Sequence, residues 1–189
     1  MLNKTIQLVC SDSWMIECLR TVEGMRLPDW YLAAGFLRNA IWDFLHEKPS
    51  RTPLNDVDVV YYDPSDPPGA AEPQIEADLR ARFPEVNWEV RNQARMHTKS
   101  GHDPYRDSAH AVAHWPETPT CVAIRIEPDG HLKIAAPYGL EVNWSLRVTP
   151  NPLVPYPAAL YNERIRSKRW LEHWPKLRVE WARERESGL

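Results

Sequence analysis

The chain has 189 residues, of which 43% are hydrophobic and 26% are charged, proportions that suit a globular protein with one domain and a sizeable core. The net charge of −3 disfavours a protein that coats nucleic acid through charge alone. The apolar run near the amino terminus, IQLV, is too short for a signal peptide or a membrane span. Because Cys10, Cys18 and Cys121 lack metal-binding spacing, we expect reduced, buried thiols in a cytoplasmic protein.

Helices and strands alternate in the first half of the chain. Apolar spacing between residues 3 and 22 predicts a helical segment, with Ser11 or Asp12 as an N-cap and Gly24 near its end. WYLAAGF, residues 30–36, is typical of a short buried strand. An apolar stripe then predicts a helix, and the stripe consists of Leu37, Ala40, Ile41, Phe44 and Leu45.

The next predicted strand is NDVDVVYYD, at about residues 56–62, and it is followed by a helix that Pro84 ends. VNWEV, residues 86–90, is another strand, and RNQARMHTKSGHDPYRD after it is typical of a long functional loop. The short helix SAHAVAHW precedes a hairpin that TCVAIRI and HLKIAA form around EPDG. Residues 158–173 are predicted to form the last long helix.

This order of elements favours an α/β (α+β) fold, in which helices pack on a mixed sheet. No internal repeat divides the chain. We therefore expect residues 1–189 to form a single domain that ends with the helix at 158–173.

Two carboxylates, Asp56 and Asp58, open the strand NDVDVVYYD. Alternate side chains of a strand share one face, so both acids point the same way, while Val57, Val59 and Tyr61 point to the other side. Like charges placed in this way repel each other. Two explanations stay open from these residues alone: a surface strand that happens to carry two acids, or a divalent cation that neutralises both.

The turn after the strand at 30–36 is the second informative place. Gly35 lets a ligand approach the backbone closely, and the free N–H groups at the start of the following helix favour an anion. Arg38 lies in the first helical turn, where the helix dipole opposes a cation unless an anion is nearby. The alternative is that Arg38 pairs with Asp43 or Glu47 along the helix. In the anion-binding interpretation, replacing Arg38 with alanine should leave the stability without ligand nearly unchanged.

Positive charge is concentrated near the carboxyl terminus, where Lys and Arg outnumber Glu. Such a segment, packed near paired carboxylates, would hold a polyphosphate, although a charge run is usually a solvated helix face. The basic residues of the segment are Arg164, Arg166, Lys168, Arg169, Lys176, Arg178, Arg183 and Arg185, and the acidic ones are Glu172, Glu180 and Glu184.

These motifs together resemble the nucleotidyltransferase superfamily of the DNA polymerase beta type. A Gly at a strand–helix turn is followed by a strand with Asp56 and Asp58, and then by a third acid, Glu89, alone in an apolar strand. AAGFLRNAIWDFL followed by NDVDVV looks especially like the head of CCA-adding enzymes and poly(A) polymerases, where Gly-Gly-x-x-Arg-Asp opens the helix. In this chain Ala34 replaces the first Gly and Asn39 replaces the Asp.

Further segments are similar to a bacterial family of nucleotidyltransferases whose substrate is unknown, and this resemblance covers roughly residues 25–180. The segments are LPDWYLAAGFLRN, NDVDVVYYD, NWEVRNQARMH, WPETPT and APYGL. The resemblance implies an enzyme that transfers a nucleoside monophosphate from an NTP to a hydroxyl acceptor.

The resemblance also implies roles for individual residues. Asp56 and Asp58 would bind two divalent ions, and Glu89 would complete the ion that activates the acceptor hydroxyl. Mg²⁺ (or Mn²⁺) is the expected cofactor, because Mg²⁺ prefers few carboxylates together with substrate phosphates. The residues that would hold the triphosphate are Gly35, Arg38 and, as a helper, Asn39.

The acceptor side is less defined. Asn92, Arg95 and His97 follow Glu89 closely and would line it, unless they only satisfy the hydrogen bonds of their own loop. The acceptor can be a protein, a small molecule or RNA, and the net charge does not indicate nucleic acid. A function of a different class also stays open: a module of the same fold that binds a nucleotide without transferring it.

Overall fold

The computed structural model of the chain describes residues 1–66, 69–154 and 157–183, so Glu184 and Arg185 of the basic segment lie outside the described residues. The helices are α1 (Leu2–Cys10), α2 (Ser13–Glu23), α3 (Gly35–Leu45), α4 (Glu72–Arg82), α5 (His97–Ser100), α6 (Ser108–Val112), α7 (Glu141–Trp144), α8 (Ala158–Ser167) and α9 (Trp170–His173). The strands are β1 (Tyr31–Ala33), β2 (Val57–Tyr61), β3 (Trp88–Asn92), β4 (Ala123–Ile126), β5 (Leu132–Ala135), β6 (Arg147–Val148) and β7 (Arg178–Val179). A 3₁₀ turn lies at Thr118–Thr120.

Five strands form one mixed sheet in the order β3-β2-β1-β4-β5. β1 is antiparallel to β2 and to β4, and β4 and β5 form the predicted antiparallel hairpin. β2 and β3 are parallel, which requires a crossover, and α4 lies on the connection between them. β6 and β7 pair in a separate two-stranded sheet. The predicted mixed sheet with helices packed on it is thus confirmed.

The two faces of β2 meet different surroundings, which explains the alternation in NDVDVVYYD. Val59 and Tyr61 enter the main hydrophobic core, together with residues of α2, α3 and α4. Val60 points to the other face, into a small cluster with residues of β1, β4 and α6. Asp56 and Asp58 share this second face, because they alternate with the residues of the main core. The apolar cover there is small, so a cleft beside the acids stays open.

Two of the predicted helical segments are interrupted. Residues 3–22 belong to α1 and α2, and the predicted caps of α2 are confirmed: Asp12 accepts a hydrogen bond from Met15 N at 3.2 Å, and Gly24 follows the last helical residue. The helix predicted at 158–173 is wrong as a continuous element: it consists of α8 and α9, because Arg169 between them has a left-handed backbone conformation with φ of 51°.

The cysteines agree with expectation in part. All three are free thiols; Cys18 and Cys121 are buried, whereas Cys10 is exposed. The buried face of α1 is formed by Thr5 and Val9, and Cys10 ends the helix outside that face. None of the helices in the described part of the chain is both long and apolar enough to cross a membrane.

Candidate active site

The three predicted acids lie together near the amino-terminal ends of two parallel strands. Asp58 and Glu89 are register partners on β2 and β3, and Asp56 lies just before β2. One ligand oxygen of each residue lies within 4.8 Å of those of the other two, and all three residues are partly buried. The structure thus brings together, on and beside two adjacent strands, the three acids to which the resemblance assigns the metal ions.

The electrostatics of these acids suits a bound cation. Burial, followed by repulsion from Asp56 and Glu89, raises the pKa of Asp58 to about 6. Glu89 Oε1 also forms an ion pair with Arg91 Nη2 at 2.9 Å. Clustered carboxylate oxygens are the ligands that hard divalent cations such as Mg²⁺ and Mn²⁺ prefer. The donor set therefore fits a divalent cation, which would neutralise charges that otherwise repel each other.

The backbone at the start of α3 has a conformation that favours glycine. Ala34, the residue before the helix, has φ of 50° and ψ of −113°. It stands where the resembled enzyme heads carry their first Gly. A Cβ atom on Gly35 would lie 3.2 Å from Leu54 Cδ2 and 3.6 Å from Arg38 Nη2. Gly35 thus keeps a space open between α3 and the segment that leads to β2.

Arg38 borders this space and is itself buried, with 6% of its surface exposed. Its Nε donates to Asn39 Oδ1 at 3.1 Å, and its Nη1 donates to Thr120 Oγ1 at 2.8 Å. The guanidinium lies over the rings of Trp42 and Trp170, 5.1 and 4.5 Å from their centroids. Burial lowers the pKa of Arg38 to about 10.

The alternative pairing of Arg38 along α3 is not what the structure shows. Asp43 instead accepts hydrogen bonds from Thr52 N at 2.7 Å, from Thr52 Oγ1 at 2.6 Å and from Trp174 Nε1 at 2.7 Å. Among the residues that the structure describes, neither Asp43 nor Glu47 nor any other carboxylate forms an ion pair with Arg38. Glu117, Asp56 and Asp58 act on Arg38 only through space, so its guanidinium has no carboxylate in direct contact, and an anion in the adjoining space would supply one.

Asn39 supports Arg38 although it replaces the acid of the resembled motif. Its Oδ1 accepts from Arg38 Nε, and its Nδ2 lies 3.7 Å from the position that a Cβ on Gly35 would take. A carboxylate there would repel a phosphate, whereas an amide offers donors. The substitution therefore removes a negative charge from the space and adds a hydrogen-bond donor to it.

A cleft of about 390 Å³ joins the acids to the start of α3. Asp56, Asp58 and Glu89 line it, as do the three residues predicted to hold a triphosphate. Sequence reasoning assigned no individual role to the residues that complete the cleft from the second half of the chain, which include Trp115, Arg164, Lys168, Trp170, His173 and Trp174.

Signals for some of these residues were present in the sequence. Arg164 and Lys168 belong to the basic segment, and Trp115 belongs to the WPETPT motif. Nothing local marks Trp170 or His173, which belong to the short helix that begins after the break at Arg169.

The residues predicted for the acceptor side do not line the cleft. Asn92 ends β3, three residues beyond Glu89, and a strand rises about 3.3 Å per residue, so the two are about 10 Å apart along the strand. The Asn92 side chain is fully buried and bonds to the backbone of Asp63 and Ala94.

Neither Arg95 nor His97 is among the residues that line the cleft. Arg95 forms an ion pair with the buried carboxylate of Glu72 at 2.5 Å. The ring of His97 packs edge-on against Tyr105, with centroids 6.2 Å apart. Asn92 thus satisfies backbone groups, as in the alternative left open above, whereas Arg95 Nε and His97 Nδ1 are buried without a hydrogen-bond partner among the described residues.

Comparison with known proteins agrees with the resemblance. A family model described as nucleotidyltransferase matches residues 20–179. A protein whose NMR structure is described as revealing a CCA-adding enzyme head domain is similar, with a TM-score of 0.82 and 30% identity over 95% of this chain and 96% of that one. A search of the curated proteins finds no match.

A second solved structure shares the fold alone. It is a CCA-adding enzyme in complex with CTP, with a TM-score of 0.58 and 13% identity. The match covers 93% of this chain but 43% of that enzyme. Together with the convergent acids and the start of α3, these comparisons show that the chain belongs to the nucleotidyltransferase family and has the fold of a CCA-adding enzyme head domain.

Proposed function

We propose that this protein is a metal-dependent nucleotidyltransferase that moves a nucleoside monophosphate from an NTP to a hydroxyl acceptor. The observation that carries the proposal is one cleft that holds three convergent carboxylates and the buried guanidinium of Arg38. The two groups suit different parts of one substrate: the acids hold cations at the reacting phosphate, and the guanidinium binds the rest of the triphosphate.

In the proposed reaction, the hydroxyl oxygen of the acceptor attacks the α-phosphorus of the NTP. The bond from this phosphorus to the oxygen that bridges the α- and β-phosphates breaks, and pyrophosphate leaves with the electron pair. The proton of the hydroxyl passes to Glu89 and then to water. A bound Mg²⁺ or Mn²⁺ ion would lower the pKa of the hydroxyl and neutralise charge on the phosphate oxygens.

The other residues bind and orient the substrate. Asp56 and Asp58 would hold the ions, Glu89 would complete the ion nearest the acceptor hydroxyl, and the space over Gly35 would take a phosphate. Arg38 and Asn39 would donate hydrogen bonds to that phosphate. The rings packed on Arg38 hold its guanidinium rigid, so little reorganisation is needed when the anion arrives.

The second candidate is a module that binds a nucleotide without transferring it. Two observations favour it: the strained backbone at Ala34, and the absence of the predicted acceptor residues from the cleft lining. The presence of all three acids in one cluster favours the enzyme.

Incubation of the protein with each of the four α-³²P-labelled NTPs, with Mg²⁺ or Mn²⁺ and cell lysate, separates the two candidates. The enzyme should transfer label to itself or to a lysate component, and the chelator EDTA or the substitution Asp58→Asn should abolish the transfer. Asp78→Asn, at an exposed carboxylate of α4, is the matched control and should retain it. Binding of an NTP without transfer under any of these conditions would show a binding module.

A further inference from the structure

Two cations at the carboxyl-terminal end of α8, Arg164 in its last turn and Lys168 as its C-cap, line the same cleft as the acids. Arg164 and Lys168 are four residues apart, so they lie on the same side of the helix, and both line the cleft. The charge of Lys168 acts on Asp58, where it lowers the pKa against the larger effect of burial. Arg166, between them in sequence, lies instead over the ring of Trp181, 5.1 Å from its centroid.

A buried carboxylate fixes one of these cations. Arg164 Nε forms an ion pair with Glu117 Oε1 at 2.5 Å, and the Glu117 side chain is completely buried. This bond uses the Nε edge of the guanidinium. The Nη atoms stay available for the cleft, where the Arg164 side chain is one-third exposed.

The same turn also fixes Arg38. Glu117 precedes the 3₁₀ turn, and Thr120 at the end of that turn accepts from Arg38 Nη1 at 2.8 Å. The segment 117–120 therefore holds two guanidinium groups, one from α3 and one from α8. The buried Glu117 carboxylate attracts both groups, and its effect on Arg38 exceeds the repulsion from Arg164, so two cations are held side by side at the cleft.

From these contacts we propose that Arg164 and Lys168 bind the β- and γ-phosphates of the substrate, and that Glu117 is a positioning residue for Arg164. The inference rests on the proposed function and assigns the two cations to the end of the triphosphate, so they should contribute to binding of a triphosphate and not to binding of a monophosphate held at the acids. Inorganic tripolyphosphate, which has no base or sugar, should bind to Arg164 and Lys168 in the same way when Mg²⁺ is present.

The test measures dissociation constants for Mg²⁺-ATP, -CTP, -GTP and -UTP, for Mg²⁺-tripolyphosphate and for the four monophosphates. Lys168→Gln should weaken binding of the best NTP and of tripolyphosphate about tenfold or more, as expected for one charge-assisted hydrogen bond, and should leave monophosphate binding unchanged. Arg166→Gln removes the same charge two residues away and should leave all of these constants within about twofold.

The role of Glu117 is tested by a double-mutant cycle. Glu117→Gln and Arg164→Gln should each raise the NTP dissociation constant relative to that of the monophosphate, and the double variant should be no worse than Arg164→Gln alone. A Glu117 that merely supports the fold would lower thermal stability without changing that ratio, which would overturn the positioning role.

The outcomes separate this inference from the proposed function. A wild-type protein that binds no NTP and no tripolyphosphate overturns both. This inference alone is overturned if the wild type binds an NTP with Mg²⁺ and the Lys168→Gln variant binds that NTP as tightly as the Arg166→Gln variant does.

Discussion

Ala34 holds a backbone conformation that favours glycine, and we expect Ala34→Gly to stabilise the protein. Backbone strain at a residue in such a conformation destabilises the folded state by about 1–3 kcal/mol. Glycine removes this strain, but its greater freedom in the unfolded chain destabilises the folded state by about 0.4–1 kcal/mol. The free energy of unfolding in urea should therefore rise by about 1 kcal/mol. Ala40→Gly inside α3 is the control and should lose about 1 kcal/mol. A loss for Ala34→Gly would show that the strain is absent.

Asp58 is the acid whose charge the surroundings disfavour most clearly, because its pKa is raised to about 6. We expect Asp58→Asn to leave the protein folded, and to be neutral or slightly stabilising at pH 7.5 in EDTA. The same change should remove the increase in melting temperature that an NTP with Mg²⁺ or Mn²⁺ produces. Asp78→Asn should keep that increase. Unfolding of Asp58→Asn would mean that the pair of acids is structural.

The structure changes the expectation for Arg38. The sequence placed this residue in an anion site that contributes little to stability, whereas its guanidinium is buried against two tryptophan rings and bonded to Thr120. We now expect Arg38→Ala to lower the free energy of unfolding by about 1–3 kcal/mol through lost packing and hydrogen bonds. The melting-temperature increase produced by an NTP with Mg²⁺ should be lost as well. If the NTP raises the melting temperature of Arg38→Ala as much as that of the wild type, Arg38 does not contribute to NTP binding.

At the scale of elements, α4 protects the edge strand of the sheet. Glu76 Oε1 accepts from Val90 N at 2.9 Å, and Glu72 Oε1 accepts from Asn92 N at 2.7 Å, so side chains satisfy backbone groups of β3 that lack a neighbouring strand. Arg91 Nη1 also donates to Glu76 at 3.0 Å. Because Arg91 pairs with Glu89 too, α4 contributes to the position of the third acid.

We expect Glu76→Ala to lower the free energy of unfolding by about 1–3 kcal/mol, because a backbone N–H and a guanidinium lose a charged partner. Asp78→Ala, on the exposed side of the same helix, should change it by less than about 0.5 kcal/mol. Urea denaturation of both variants measures the difference. Equal values for the two would show that α4 protects β3 by packing alone.

For the whole molecule, the raised pKa of Asp58 makes stability depend on pH in a definite direction. The folded value of about 6 lies above the ordinary value of 3.8, so the contribution of Asp58 is fully present below pH 3.8 and is lost as the pH rises through about 6. Without divalent ions, the wild type should lose about 1–3 kcal/mol relative to Asp58→Asn between pH 4 and pH 7.5.

Urea denaturation of both proteins across this pH range, in EDTA, measures the difference. The comparison with Asp58→Asn cancels the contributions of the other titrating groups. Mg²⁺ at pH 7.5 should restore part of the wild-type stability, since cations that bind the folded state stabilise it. A difference that does not change with pH would show that Asp58 titrates normally.

The sequence by itself determined the acids and the class of fold. Alternation in NDVDVVYYD and in NWEV is a local property, and it places Asp58 and Glu89 on one face once β2 and β3 pair in parallel. The early alternation of helices and strands, together with the late hairpin, also favours a mixed sheet. The cap at Asp12 is local in the same way, since its partner Met15 is three residues away.

Only the tertiary structure decided what surrounds Arg38 and which residues complete the cleft. Trp170 and Thr120 contact Arg38 although both are far from it in the chain. The local spacing of apolar residues predicts a helix but not the elements against which that helix packs. The break at Arg169 separates α9 from α8, and its left-handed backbone was not apparent in a segment with helical spacing. Asn92 lies away from the cleft lining for a similar reason: nearness to Glu89 in sequence becomes distance along an extended strand.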